Sequence, residues 1–425
     1  MTGRFHVAVV GAGWAGLAAA VEASRCGGRV TLFEMAPAPG GRARGVVSHG
    51  TMLDNGMHIC IGAYVETLSL MSALGVAEST AFLRMPLTLV DAAGRGLRAR
   101  AGPPAIAFAL AVLRRADWRW RDRLGLLHRA ARWQLGGFRC PAEATVADLC
   151  NGLSEAVRRD FVELLCVAAL TPPMAEASGQ VFLRVLQDSL FSGPGSADLL
   201  LPRASLSELV PAPALASLAR SGVTVRLGHR VDRIERDGPG WRVDDIGVDR
   251  VVVAASAIEA ARLLSPHAGA WAETAAALRY EPIVTVYARS EGCVLPEPML
   301  ALAADAHRPA QFVFDRGQLG GDAGLLAFVV SGAAPWVERG AAATETAVLA
   351  QAAAELGPHL AAPLQLARTM VEKRATFACV PRLKRPVMAV GPGLFAAGDY
   401  IDGPYPATLE GAVRSGLAAA HAAAR

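Results

Sequence analysis

The chain opens on His6 to Val10 (HVAVV), a run of mostly β-branched residues without polar alternation, which predicts a parallel strand buried on both faces. The run stops at Gly11-Ala12-Gly13-Trp14-Ala15-Gly16 and passes into an alanine-rich helical stretch, Leu17 to Cys26. A second apolar strand, Arg29 to Phe33, ends in Glu34. Strand, glycine turn, helix, and strand with a terminal acid is the order of a dinucleotide-binding unit. Gly11 permits the tight turn, Gly13 lets backbone N–H groups of the Trp14 and Ala15 turn approach a pyrophosphate, and Gly16 lets helix and strand pack closely. The helix N-terminus favours phosphate charge, and Glu34 stands where a carboxylate accepts from a ribose hydroxyl.

Farther along, the pattern predicts short strands between Gly45 and Gly102 around one helix, Glu66 to Leu74. Ala101 to Trp133 changes character: AGPPAIAFALAVL leads into a segment where arginines from Arg114 to Arg132 alternate with Trp118, Trp120 and Trp133. Such a segment is either an interfacial helix pair, with rings at headgroup depth and arginines on anionic lipid, or a solvated helix face with its tryptophans in the core. Helices follow at Asn151 to Leu170 and Ala177 to Leu190. Val223 to Ala255 reads as strands with a hairpin turn at Asp237-Gly238-Pro239-Gly240. Ile283 to Ala288 and Leu325 to Val330 read as strands and Ala341 to Leu356 as a helix. Gly393 to Ala424 reads as a strand, a polar loop and a closing helix.

Composition narrows the class. With 425 residues, 52% hydrophobic and 19% charged, the chain is a globular protein of two or three domains and not a disordered one. Its net charge of +4 over so long a chain is too weak to argue for a nucleic-acid partner, which would need a clustered basic face with aromatic stacking partners. Seven scattered cysteines without a C-x-x-C pair suggest neither a disulfide framework nor a zinc site, and fit a reducing cytoplasm. The apolar start is broken by glycines and lacks the basic flank of a signal peptide. No apolar run approaches the ~18–20 residues of a membrane span; the nearest, Ile106 to Leu113, is far too short.

Three segments together turn the nucleotide site into a flavin site by resemblance. Pro39-Gly40-Gly41-Arg42-Ala43-Arg44 is similar to the loop after the second strand in the amine oxidase and phytoene desaturase superfamily of FAD enzymes. LFAAGDYIDGPYPATLEGAVRSG, near the carboxy terminus, resembles that superfamily's closing motif. Leu53-Asp54-Asn55-Gly56-Met57-His58, the block Thr171 to Leu190 and the block Leu199 to Val210 resemble the narrower squalene-associated FAD-dependent desaturases. The activity assigned to that family is hydroxysqualene dehydroxylation in bacterial squalene and hopanoid synthesis. The likeness covers nearly the whole chain, although Gly269 to Ala375 carries no motif.

The resemblance implies an α/β protein whose Rossmann-type FAD-binding domain is assembled from residues 1–100, 200–265 and 385–425. An inserted α+β substrate domain would comprise 101–199 and 266–384. It places Gly11, Gly13, Trp14, Ala15 and Gly16 at the pyrophosphate, Glu34 at the adenosine ribose, Gly41 and Arg42 near the diphosphate and Val231 at the adenine. Gly56, Gly398 and Asp399 would also meet the cofactor, and Thr408, Leu409 and Glu410 would aim backbone N–H groups at the flavin N1/O2 edge. A helix start there suits the negative charge that reduced flavin carries near N1.

The implied reaction is reductive loss of an allylic hydroxyl from a polyprene, hydroxysqualene, which requires a proton donor and a dry pocket. Asp54 and His58 are the first candidates, against the plainer readings of a turn-capping acid and a satisfied buried histidine. Tyr405 comes next, with Tyr400 and Asp402 in the same loop. No second nucleotide motif marks an electron donor. A carotenoid or related polyprene desaturase, an amine oxidase and a non-catalytic lipid carrier remain as alternatives, and peripheral contact with the cytoplasmic membrane is expected of the arginine and tryptophan segment.

Overall fold

The computed structural model describes residues 5–48 and 50–425. The opening strand, His6–Val10, lies at the centre of a six-stranded sheet, paired in parallel with Arg29–Glu34 on one side and Arg250–Val253 on the other. Both of its faces are covered, which is why the run has no polar alternation. Thr224–Leu227 extends the sheet beyond Arg29–Glu34, and Leu394–Ala396 extends it beyond Arg250–Val253. Ala389–Gly391 closes that edge antiparallel. The strands of this Rossmann-type sheet therefore come from three separated stretches, 6–34, 224–253 and 389–396.

Six helices position the site: α1 (Trp14–Arg25), α2 (Val65–Ala73), α3 (Pro104–Arg114), α4 (Trp120–Leu135), α5 (Gly179–Phe191) and α6 (Leu409–Ala423). Helices α1 and α6 share one apolar core with Val7, Val9, Leu32 and Val252 of the parallel sheet. The hairpin excursion at 234–248 forms its own three-stranded antiparallel sheet.

A second, five-stranded antiparallel sheet runs in the order Met299–Ala301, Phe312–Asp315, Leu325–Val330, Tyr280–Arg289, Gln365–Phe377. The hairpin Thr88–Val90 with Gly96–Arg98 packs Val90 into one cluster with Val284, Val286 and Leu300 of this sheet.

Two helical readings are refined. The Asn151 to Leu170 stretch begins only at Glu155, where Ser154 caps it, then widens into a π-helical turn over Arg158–Glu163 and ends at Thr171 with φ 79°. The arginine and tryptophan segment is two helices, α3 and α4. Arg123 donates to the carbonyls of Leu113 (2.8 Å) and Trp118 (3.0 Å), so its guanidinium supports the break between them. Among the described residues no helix is long and apolar enough to cross a membrane.

Candidate functional site

A cavity of about 860 Å³ opens at the carboxyl ends of the parallel strands, where ligands bind in open α/β sheets, and runs on between the second sheet and the helices. Its first wall is the glycine turn. Gly11, at φ 108°, lies where a Cβ would stand 2.6 Å from the Ala254 carbonyl oxygen, and a Cβ on Gly16 would fall 1.8 Å from that of Gly11. A Cβ on Gly13 would meet nothing within 4 Å, because that side of the turn faces the cavity. Gly13 is also the N-cap of α1 and offers no side-chain cap, so the first turn of the helix keeps N–H groups for an anion. Trp14 and Ala15 line the same wall, and Trp14 Nε1 donates to the Ala43 carbonyl at 2.9 Å, fastening the glycine-glycine-arginine loop to the helix. Glu34 accepts from the N–H groups of Ala12 (2.6 Å) and Ala36 (2.8 Å), and its carboxylate retains acceptor capacity toward the cavity.

The rest of the nucleotide wall comes from far along the chain. Gly41 sits at φ 60° where a Cβ would be 3.2 Å from Gly13 Cα, and Arg42 donates to Asp399 at 2.6 Å and to the Ala375 carbonyl at 2.7 Å. Val231 lines the cavity while its carbonyl accepts from Arg262 at 2.7 Å. Gly56, Gly398, Thr408 and Leu409 are wall residues, and Thr408 caps α6 by accepting from the Gly411 N–H at 3.0 Å. Tyr400 Oη is buried in this wall without a partner among the described residues. An open helix start, a cradle that a Cβ on Gly13 would enter and an orphaned hydroxyl together fit a dinucleotide cofactor with polar edges.

One expected site residue is corrected. Asp54 does not line the cavity. Its carboxylate, 3% exposed, accepts from the Leu206 N–H (2.9 Å) and the Ser205 hydroxyl (3.2 Å) and faces Arg316 at 3.8 Å, because the strand Thr51–Asp54 turns that side chain into the packing around residues 205 and 206. Burial pushes its pKa up against those partners. The Glu410 side chain accepts from the N–H groups of Glu66 (3.1 Å) and Thr67 (2.9 Å), capping α2 from α6, while its backbone N–H, the group expected at the flavin edge, lies in the first turn of α6.

His58 and Tyr405 do face the cavity. His58 Nδ1 lies 3.2 Å from the Gly56 carbonyl, and burial lowers its pKa, so the imidazole is neutral near pH 7. Arg184 of α5 donates to Tyr405 Oη at 3.2 Å and is held by Asp188 at 2.9 Å. The guanidinium carbons of Arg184 and Arg414 lie 5.2 and 5.3 Å from the Tyr405 ring centre.

Sequence reasoning missed Arg184, Asp188 and Arg385. The i, i+4 spacing of Arg184 and Asp188 on a predicted helix was the one available signal. Arg385 donates to the carbonyls of Asp399, Tyr400, Ile401, Gly403 and Tyr405, and so shapes the whole closing loop.

A family profile described as flavin containing amine oxidoreductase matches residues 14–424. The chain belongs to that family. Two relatives named hydroxysqualene dehydroxylase match almost end to end: that of Sinorhizobium fredii is 26% identical over 98% of this chain and 97% of its own, and that of Rhodopseudomonas palustris 28% over 97% of each. A zeta-carotene desaturase of Synechocystis sp. is 34% identical, but over 21% of this chain and 19% of its own. Among solved structures, an oxidoreductase from Methanosarcina mazei superposes with a TM-score of 0.72 at 15% identity, covering 97% of this chain and 99% of that one. Cyclohexylamine oxidase from Brevibacterium oxydans gives 0.69 at 19%, covering 99% of each. These establish the shared fold, and the family makes the protein a flavin-dependent oxidoreductase.

Proposed function

We propose that the flavin is FAD and that the protein removes the allylic hydroxyl of hydroxysqualene to give squalene. The observation that carries this reading is the continuity of the cavity: the nucleotide cradle opens directly into an apolar tunnel walled by Leu87, Phe108, Phe161, Leu186, Phe312 and Phe314. A polyprene fits such walls, and the relatives matched over their full length carry the corresponding name. The seven free thiols accord with a reducing cytoplasm.

In this reading Gly11, Gly13, Trp14, Ala15 and Gly41 hold the pyrophosphate, Glu34 the ribose and Val231 the adenine, while Gly16, expected at the pyrophosphate, is instead packed behind the turn against Gly11. Arg42 and Asp399 face the phosphate and ribityl region, Gly56 and Gly398 line the flavin, and the turn at Thr408 and Leu409 offers positive partial charge to its N1 edge. Reduced FAD supplies the hydride that replaces the hydroxyl.

The residues of the chain supply the proton. Arg184 donates to Tyr405 Oη, which leaves the phenolic hydrogen for another acceptor, here the leaving hydroxyl. Burial pushes the Tyr405 pKa up, so the group stays protonated through neutral pH. The two guanidiniums beside its ring stabilise the phenolate left behind. The C–O bond breaks, the hydroxyl leaves as water with the Tyr405 proton, and the apolar walls keep other water from the allylic cation. Neutral His58 orients the hydroxyl without protonating it.

Anaerobic mixing of the reduced FAD protein with hydroxysqualene tests the assignment. Squalene should form in step with flavin reoxidation; a reduced flavin that persists with no squalene overturns it.

A further inference from the structure

Helix α4 carries a stripe that nothing in the described structure covers. Trp120, Leu124, His128, Ala131 and Leu135, spaced at helical intervals, all face outward, with Trp120 62% and Leu135 88% exposed. On α3, Ile106 and Leu110 are exposed on successive turns. The tryptophans divide accordingly: Trp118 is buried and Trp133 packs on the core, while Trp120 stands outside with the Arg123 guanidinium 4.7 Å from its ring centre. Single exposed apolar residues need no explanation, but aligned ones on two adjacent helices do.

The surrounding charge is of one sign. Arg114, Arg119, Arg121 and Arg132 are exposed. The acids between residues 114 and 139 are already engaged: Asp117 pairs with Arg115 at 3.1 Å, and buried Asp122 accepts from the Arg119 N–H at 3.2 Å. A symmetric dimer through this face would bring its arginines against their own copies, whereas an anionic lipid surface would neutralise them.

The opposite face of α3 closes the apolar tunnel with Phe108. A small cleft shares Leu87, Phe108, Leu190 and Ala197 with the tunnel and is lined further by Gly102 and Pro104, at the start of α3.

We propose that the α3–α4 hairpin docks on an anionic bilayer and that the tunnel takes its apolar substrate from that bilayer beside the start of α3. The identity of the substrate rests on the dehydroxylase reading, but the docking does not. Aromatic and aliphatic side chains of the stripe sit at headgroup depth and the arginines meet lipid phosphates.

Sedimentation with phosphatidylcholine vesicles, with and without phosphatidylglycerol, tests the docking. Wild-type protein should partition at least about tenfold more strongly to the anionic vesicles, and less at high salt as the charges are screened. The double variant Trp120→Asp/Leu124→Asp, and separately Leu135→Asp at the helix end, should lower that partition by about tenfold while flavin content and circular dichroism stay unchanged. Turnover of substrate embedded in vesicles should fall similarly in the variants, and turnover of detergent-dispersed substrate should not. Equal vesicle binding by wild type and both variants overturns the proposal, as does a wild-type dimer in lipid-free solution that the variants dissociate. If wild type binds vesicles but yields no squalene from dispersed substrate, the docking stands and the dehydroxylase reading fails.

Discussion

The guanidinium of Arg42 meets the carboxylate of Asp399 at 2.6 Å although the two residues are 357 positions apart. One lies in the glycine-rich loop after the second strand and the other in the closing motif. Arg42 also donates to Ala375, on the long edge strand of the second sheet, so one side chain joins three segments of the cavity wall.

Asp399→Asn should therefore weaken FAD binding as well as the fold. Removing one partner of a partly buried pair leaves the other uncompensated, and with Arg42 partly exposed to water the loss is about 1–2 kcal/mol. Chemical denaturation and flavin fluorescence titration check this together. An Asp399→Asn protein with wild-type FAD affinity would show that the pair plays no part in holding the cofactor.

The glycine turn predicts two different failures. Gly13→Val places its side chain in open cavity and should yield a folded protein without flavin. Gly16→Val, where a Cβ would lie 1.8 Å from a carbonyl oxygen, should prevent folding. Circular dichroism and flavin absorbance of the two purified proteins distinguish them, and a yellow Gly13→Val protein would move the pyrophosphate elsewhere.

Tyr405→Phe should keep FAD and slow single-turnover squalene formation by about 10²-fold or more, the scale for loss of a positioned acid. Asp54→Asn should lower stability, because it weakens the contacts with Arg316 and Ser205, yet leave the rate per bound flavin within a few-fold of wild type. The reverse pattern would restore Asp54 as the donor and remove Tyr405.

His58 gives a stability signature with pH. Burial lowers its folded-state pKa, so below the unfolded value of about 6.5 the unfolded chain binds the proton first. Stability from this group is present above that pH and falls as pH drops from about 6.5 toward the lowered folded value. His58→Gln should flatten this part of the stability profile, measured as melting temperature between about pH 7.5 and 5.5; an unchanged slope would mean that the ring takes up its proton at the same pH in the fold as in the unfolded chain.

The opening parallel strand, the glycine turn and Glu34 were legible in the sequence because each depends on neighbours a few residues away. A parallel strand needs an unbroken apolar run, a close helix–strand approach needs Gly16 at one spacing, and the acid follows at the end of the next strand. The Arg42 loop, the assembly of the FAD domain and the closing motif at Asp399 and Thr408 were legible through resemblance, which reports the outcome of long-range packing without deriving it. Which way a side chain points was not legible. Asp54 and His58 lie four residues apart in one motif, yet the strand turns Asp54 toward residues 205 and 206 while the loop turns His58 into the cavity. Arg184 reaches Tyr405 across 221 positions, and Arg385 gathers the closing loop from outside it. Those meetings are set by how α5, the second sheet and the parallel sheet pack together, and packing joins residues whose distance in sequence carries no trace of the contact.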